Sequence, residues 1–549
     1  MIRAVATSRR ALLLVAVLLG GALAALAALA LTLDDEEPPP PPLIVESTYI
    51  EGVAGTWQRI NPLFAPANAV DEDLARLVFA GLIRVGRDGL LLPDLAALPE
   101  VSADGRTYTF HLHPDLQWHD GAPVRSLDVA FTIEQIRAPD FKGPPELPEA
   151  WSTVEVLTPD LSTVVFRLEE ASAPFLARFA TIGILPEHLL HSLDAARLFD
   201  SPFNAAPVGA GPYRMASVTS NEATLRAYER YHFGRPEIDI IAVRFFPDFP
   251  TAQRELEAGR IDGLLFRESL SQAQLDSLDQ VDDLTRDHLQ RAAYFVLYLN
   301  NDQAAFFRDA RVRTAISLAL DRERLAAAAL SSMATPSSSA VTPGTWAYAP
   351  EYDRLEIDTE TALALLTEAG WHRSPTSGVL IREGAEFRLT IRTDNDPTRV
   401  ALAGEIARQL EPLGIRATVA STSFAVLRRD FLQERTYDAA VAGWDQGPDP
   451  DPYFGWHSSQ TGLAGGNIAN YADVVSDTLI ARGRTELDLA IRRDAYEQFQ
   501  EIWQMDVPSV ILAYPRYLYL RSDSLEATAP GVLFTPADRF LDVHEWRIG

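Results

Sequence analysis

Cysteine is absent from all 549 residues, which excludes a disulfide, a thiolate nucleophile, a thiolate metal site and lipid attachment to cysteine. Lysine is almost missing too. Lys142 stands alone among abundant arginines, leaving little for Schiff-base or phosphate-loop lysine chemistry. The patterns G-x-S-x-G, H-E-x-x-H and G-x-x-x-x-G-K-[ST] do not occur, so the common hydrolase, zinc-protease and nucleotide-binding signatures are lacking. Positive charge is scarce overall: the net charge is −28 and the pI about 4.7. A phosphate backbone would be repelled, so no nucleic-acid partner is expected.

What is present is a globular composition, 47% hydrophobic and 9% aromatic, in a chain long enough for two or three domains. Arg3, Arg9 and Arg10 precede an uncharged apolar run from Ala11 to Leu33, and Asp34, Asp35, Glu36 and Glu37 follow it. The run exceeds the ~7–15 residues of a signal-peptide core and matches the ~20 that span a bilayer. Its flanking charges put the bulk of the chain outside the cytoplasm. Residues 1–33 are therefore predicted to be an uncleaved anchor. Ala28-Leu29-Ala30 resembles a cleavage site and Ser8-Arg9-Arg10 part of a twin-arginine signal, so a cleaved, secreted form is the alternative. Residues 34–42 form an acidic linker ending in Pro38–Pro42, a semi-rigid spacer.

Alternating apolar residues predict strands at 43–48, 108–113, 162–168 and 294–299, and apolar residues a turn apart predict helices at 127–137, capped by Ser126, at 309–325 and at 491–503. Phe387–Thr393, Thr398–Leu413 and Ile415–Val419 read as strand, helix and strand, with Gly414 closing the helix. That is a parallel βαβ crossover with its sheet covered on both faces. Pro508–Ala513 reads as a further strand. The fold class is α/β with mixed α+β regions.

The segment GWDQGPDPDPYFGWHSSQ, residues 443–460, fits neither period. Pro448, Pro450 and Pro452 predict a stiff, extended loop. Its aromatic faces, Trp444, Tyr453, Phe454 and Trp456, alternate with the acceptors Asp445, Asp449 and Asp451. The segment reads either as the lining of a cleft or as a solvated loop over a satellite aromatic cluster. The three aspartates lack the glycine and the terminal glutamate of a calcium loop. His111, His113 and His119, like His188 and His191, have no convergent third ligand and read as structural or surface groups. No metal or cofactor is expected.

In order along the chain, NPLF (61–64), LARLVFAGL (74–82), ADGRTYTFHLHPDLQWHDGAPVRSLDVAFTI (103–133), GAGPYR (209–214), FRDARVRTAISLALDRE (307–323), LGIRATV (413–419) and YDAAVAGWDQGPDPDPYFGWHSSQ (437–460) resemble the family 5 extracytoplasmic solute-binding proteins, the peptide- and nickel-type receptors of ABC importers. The resemblance implies a two-lobed periplasmic-binding-protein-like fold with an additional domain. One lobe would comprise 43–85, 205–290 and 508–549, the additional domain 86–204, and the second lobe 291–507. It also implies a monomeric receptor without chemistry of its own, which binds a peptide between its lobes and hands it to the ABC permease subunits. A non-peptide solute, such as an oligosaccharide or metal chelate, is the alternative cargo, and an extracellular hydrolase or a purely structural or sensor module are competing classes. In peptide-binding members the loop after Trp444 carries an aspartate for the ligand's ammonium. Here the spacing is one residue shorter, leaving Gln446 or Gly447 at that place, so either Asp445 substitutes or the cargo lacks an ammonium. The candidate ligand-binding residues are Trp444, Asp445, Gln446, Gly447, Asp449 and Trp456, together with Arg392 and Arg399. These two arginines lie beside the strand-to-helix turn of the βαβ unit, where ligands commonly sit. Surface arginines and core tryptophans are the plainer readings of Arg392, Arg399, Trp444 and Trp456.

Overall fold

The computed structural model describes residues 5–31, 46–267, 270–331 and 333–549. The expected linker at 34–42 and residues 43–45 of the strand expected at 43–48 lie outside the described residues, and the strand observed there is Thr48–Ala54. The chain divides into two compact units, residues 1–46 and 47–549. In the first, Val5–Leu31 is one helix. Its side chains are described from 12 to 25, and among the described residues no helix is long and apolar enough to cross a membrane.

The second unit is organised by a 12-stranded mixed sheet. Its central element is Ser509–Ser522, longer than the strand expected at 508–513. The first part pairs antiparallel with Ala293–Leu299 and Ala334–Pro336, and the later part with Leu284–Gln290 and Gly263–Phe266. Pro515 lies where the partners change, a position at which its missing N–H interrupts neither ladder. Ser509–Ser522 and the consecutive strands Leu284–Gln290 and Ala293–Leu299 thus tie two half-sheets together. One half continues through Thr48–Ala54, Ile240–Phe246, Glu222–Ala227 and Tyr213–Val218. The other continues through Ala439–Asp445, Arg388–Asp394 and Arg416–Thr422.

The crossover in the second half follows from its sequence. Leu389, Ile391 and Thr393 alternate inward along Arg388–Asp394. Asp396 caps the helix Pro397–Leu410 by accepting from the Arg399 amide, with Pro397 pre-set at the first turn. Leu402, Ala403, Ile406 and Leu410 are buried. Gly414 turns the chain at φ 86°, in the left-handed region open to glycine, and Arg416–Thr422 returns parallel and in register. One expectation is corrected here. Arg416–Thr422 ends the sheet and is largely exposed, so its polar Arg416, Thr418 and Ser421 leave that edge uncovered. The helix expected over 309–325 is two helices, Ala310–Ala319 and Arg322–Leu330, because Asp321 caps the second by accepting from the Arg324 amide. Ser126 is the first residue of its helix, not the cap.

Residues 86–204 carry a four-stranded antiparallel sheet that includes Thr107–His111 and Thr163–Arg167. Their apolar side chains, Tyr108, Trp118, Trp151 and Phe166 among them, belong to one continuous buried cluster with Tyr49, Leu74, Tyr213 and Trp546. Separate clusters fill the half built from 294–514. His119 lies half-buried beside the first core, its ring edge-on to Tyr228. Its Nε2–H donates to the Gly211 carbonyl at 3.0 Å and its Nδ1 accepts from the Gly209 amide at 3.2 Å. Burial pushes the imidazole down to about 4, so it is a neutral structural group. Gly209 is required there, since a Cβ would come within 1.9 Å of the Val78 carbonyl oxygen.

Candidate functional site

The segment 443–460 begins as the end of the strand Ala439–Asp445 and later turns through two short helical stretches, Tyr453–Trp456 and Ser458–Gln460. It is less extended than its prolines suggest, because their fixed φ also suits the first turn of a helix. It lines a cavity of about 330 Å³ together with Glu146, Arg178, Phe179 and Tyr294. A second cavity of about 450 Å³ adjoins it. Glu146, Arg178, Phe179, Gly447 and Pro448 line both, and Glu72, Arg76, Phe79, Phe534 and Asp538 are among the other residues of the second. The two form one cleft, with walls from the early and late parts of the chain on one side and the 443–456 segment on the other.

Of the candidate residues, Trp444, Asp445, Gln446, Gly447, Asp449 and Trp456 come together at the first cavity. They differ in what they can still bind. Trp444 is half-buried and tilts against Phe454 with ring centroids 5.9 Å apart, a free aromatic wall. Trp456 is a core residue: it packs edge-on against Trp503 at 4.4 Å and its Nε1–H donates to the Tyr294 hydroxyl at 3.3 Å. Gln446 is occupied, donating to the Ala340 carbonyl at 2.9 Å and accepting from the Thr342 hydroxyl. Asp445, 78% exposed, pairs with Arg291 at 2.5 Å. An exposed pair of this kind is worth about 0–1 kcal/mol.

Asp449 is different. It is buried and receives two hydrogen bonds from Arg492 Nη2, at 2.7 and 2.9 Å. Burial pushes its carboxyl up, against the pull of Arg492. Asp451, also buried, pairs with Arg484. All three aspartates of the segment therefore already have an arginine of their own, and those of Asp449 and Asp451 pin the loop to the helices Val474–Thr485 and Leu489–Asp506. Arg392 and Arg399 line neither cavity. Arg392 stacks over the Phe431 ring at 3.7 Å. Arg399 grips Asp394 through two hydrogen bonds of 2.8 Å.

Several cleft residues were not legible in the sequence. Arg178 lies in the short helix Pro174–Phe179, within PFLARF, a stretch with no chemical signature. Glu72 lies in the helix Ala69–Val78, whose amphipathic pattern gives no sign of a cleft. Burial first, then Asp73 and Asp538, raises the Glu72 carboxyl to about 7, with Arg76 and Arg267 opposing. The unfolded chain loses this proton from about 4.5 while the folded one keeps it to about 7, so stability falls as pH rises through that window and levels above it. Glu72→Gln is expected to match wild type at pH 4 and to exceed it by about 1–3 kcal/mol at pH 8. Urea unfolding across pH checks this, and a difference independent of pH would refute it.

Two half-sheets joined by paired passages, with a polar and aromatic cleft lined from the early and late parts of the chain and from the 443–456 segment, are the build of a solute-binding receptor. The chain belongs to the bacterial extracellular solute-binding proteins, family 5, whose middle region matches residues 91–465. The oligopeptide-binding protein AppA of Bacillus subtilis is 26% identical over 510 residues, covering 90% of this chain and 91% of that one. The solved structure of NikZ from Campylobacter jejuni, in complex with Ni(L-His), is 26% identical with a TM-score of 0.65, covering 92% of this chain and all of that one. HbpA2 from Haemophilus parasuis shares the fold, at 20% identity with a TM-score of 0.78, covering 91% of this chain and 100% of that one.

Proposed function

We propose that this chain is the extracytoplasmic receptor of an ABC importer and that it captures peptides in the cleft. The observation carrying this reading is the continuity of the two cavities through Glu146, Arg178, Phe179, Gly447 and Pro448. An elongated site of several hundred Å³ with aromatic walls and a few polar groups suits an extended ligand. The similarity to an oligopeptide-binding protein over nine-tenths of the chain supports it. In this reading the lobes are 43–85 with 205–290 and 508–549, and 291–507, with 86–204 as the additional domain. Trp444 and Gly447 meet the ligand directly, while Asp449 shapes the site from behind. The protein works as a monomer, returns its ligand chemically unchanged and is held at the outer face of the membrane by the apolar run Ala11–Leu33, whose length and flanking charges suit an anchor.

Mass spectrometry of ligand released by denaturing the purified full-length protein tests the proposal. Peptides are expected to be released intact and to rebind the refolded protein in calorimetry. Release of a non-peptide solute alone, or heat-labile conversion of an added peptide pool, would overturn it.

A further inference from the structure

We infer that Arg178 anchors an anionic group of the cargo, a carboxylate, and that the aromatic wall beside it takes an adjoining apolar side chain. The inference rests on the receptor reading above and specifies the cargo's chemistry.

Arg178 lines both cavities, at the place where they join. Its Nε is buried and has no hydrogen-bond partner, and among the described residues no carboxylate lies within ion-pair distance of its guanidinium. A buried donor left unsatisfied is costly, the more so on a charged group, so such a cation belongs where a partner arrives. The nearby carboxylates do not fill that place. Asp445 is held by Arg291, Asp449 by Arg492 and Asp451 by Arg484. Glu146 lines the same two cavities but is exposed. Arg178 also acts on Asp449 through space, yet its Nε keeps no hydrogen-bond partner, so a donor on a cation is left open at the junction.

The approach to this cation is open. Gly447 faces it, and a Cβ built there would lie 3.6 Å from Arg178 Nε, so any side chain at 447 would stand against the guanidinium. A planar guanidinium offers paired donors in the geometry of a carboxylate. Trp444, Phe454 and Phe179 line the same cavity and provide apolar faces for the group carrying that carboxylate. A terminal carboxylate and an aspartate or glutamate side chain share this chemistry, and experiment can separate them.

The test uses the full-length protein and three synthetic peptide pools built on one set of apolar sequences: free acid, C-terminal amide, and C-terminal amide with a single glutamate. Calorimetry on wild type should show the free-acid pool binding about 10–100-fold more tightly than the plain amide, the scale of a lost charge-assisted contact. If the glutamate pool recovers the difference, side-chain carboxylates are also accepted. If it does not, the terminal carboxylate is the source. Arg178→Gln should erase the preference and Arg178→Lys retain part of it, with unfolding midpoints unchanged. Equal binding of the three pools by wild type, or an acid preference that persists in Arg178→Gln, would overturn this inference and leave the peptide reading standing. Failure of every pool to bind wild type would overturn both.

Discussion

Replacing Arg539 with methionine is expected to lower the stability of the protein by at least about 3–5 kcal/mol, the cost of leaving a buried charge without its partner. Arg539, Glu51 and Asp73 are each 0% exposed at their side chains. The Arg539 guanidinium donates to Glu51 through Nε at 2.9 Å and to Asp73 through Nη1 and Nη2 at 2.7 and 2.9 Å. Glu51 also accepts from the hydroxyls of Tyr49 and Tyr519, at 2.8 and 3.0 Å, and Arg267 pairs with Asp73 through the Oδ2 that Arg539 also reaches. Burial pushes the Glu51 carboxyl up, whereas at Asp73 burial is outweighed by Arg267 and Arg539, which hold it low. Losing Arg539 thus leaves Asp73 with Arg267 alone and Glu51 with no cation, only the two tyrosine hydroxyls, beneath the cleft wall formed by Glu72, Arg76 and Asp538. Urea unfolding measures the loss. Substituting Arg539, Glu51 and Asp73 together by apolar residues is expected to cost less than Arg539→Met alone, since a buried ionic cluster is replaced as a whole. A single substitution costing under about 1 kcal/mol would show that water reaches the cluster.

Sequence and structure agree where the information is local. The crossover at Arg388–Thr422 is readable because alternation, an amphipathic helix and a left-handed glycine all lie within one stretch of chain. The break at Asp321 was hidden because the apolar spacing continues across it, although aspartate before a new helical run is a capping signal. The full length of Ser509–Ser522 was hidden by Pro515, which looks like a terminator until the change of partner strands is known. The site divides in the same way. Its loop stands out because three prolines, three aspartates and two tryptophans crowd it. Which aspartates remain free for a ligand depends on Arg291, Arg484 and Arg492, which are distant in sequence. Arg178 is conspicuous only through the partner it lacks, and no local pattern encodes that.

Arg492→Met is expected to be the most damaging single change at the cleft. Arg492 and Asp449 are nearly solvent-free, with side chains 8% and 4% exposed. Arg492 also donates through Nε to the Gly483 carbonyl at 2.8 Å and stacks over Trp346 at 4.8 Å. Without it Asp449 must draw in water or move, carrying Gly447 and Pro448 with it. A stability loss of about 3–5 kcal/mol should accompany a drop in peptide affinity of at least about tenfold. Asp449→Asn keeps the size and one acceptor, so it should cost less. The pair should be strongly non-additive in a double-mutant cycle, with a coupling of about 2 kcal/mol or more. Arg484→Met is the comparison: its side chain is 34% exposed while that of its partner Asp451 is 1% exposed, so the cost should fall between the about 1 kcal/mol of an exposed pair and the about 3–5 kcal/mol of a buried one. Additive effects of Asp449→Asn and Arg492→Met, or unchanged peptide binding in Arg492→Met, would mean that this ion pair does not hold the loop against the cleft.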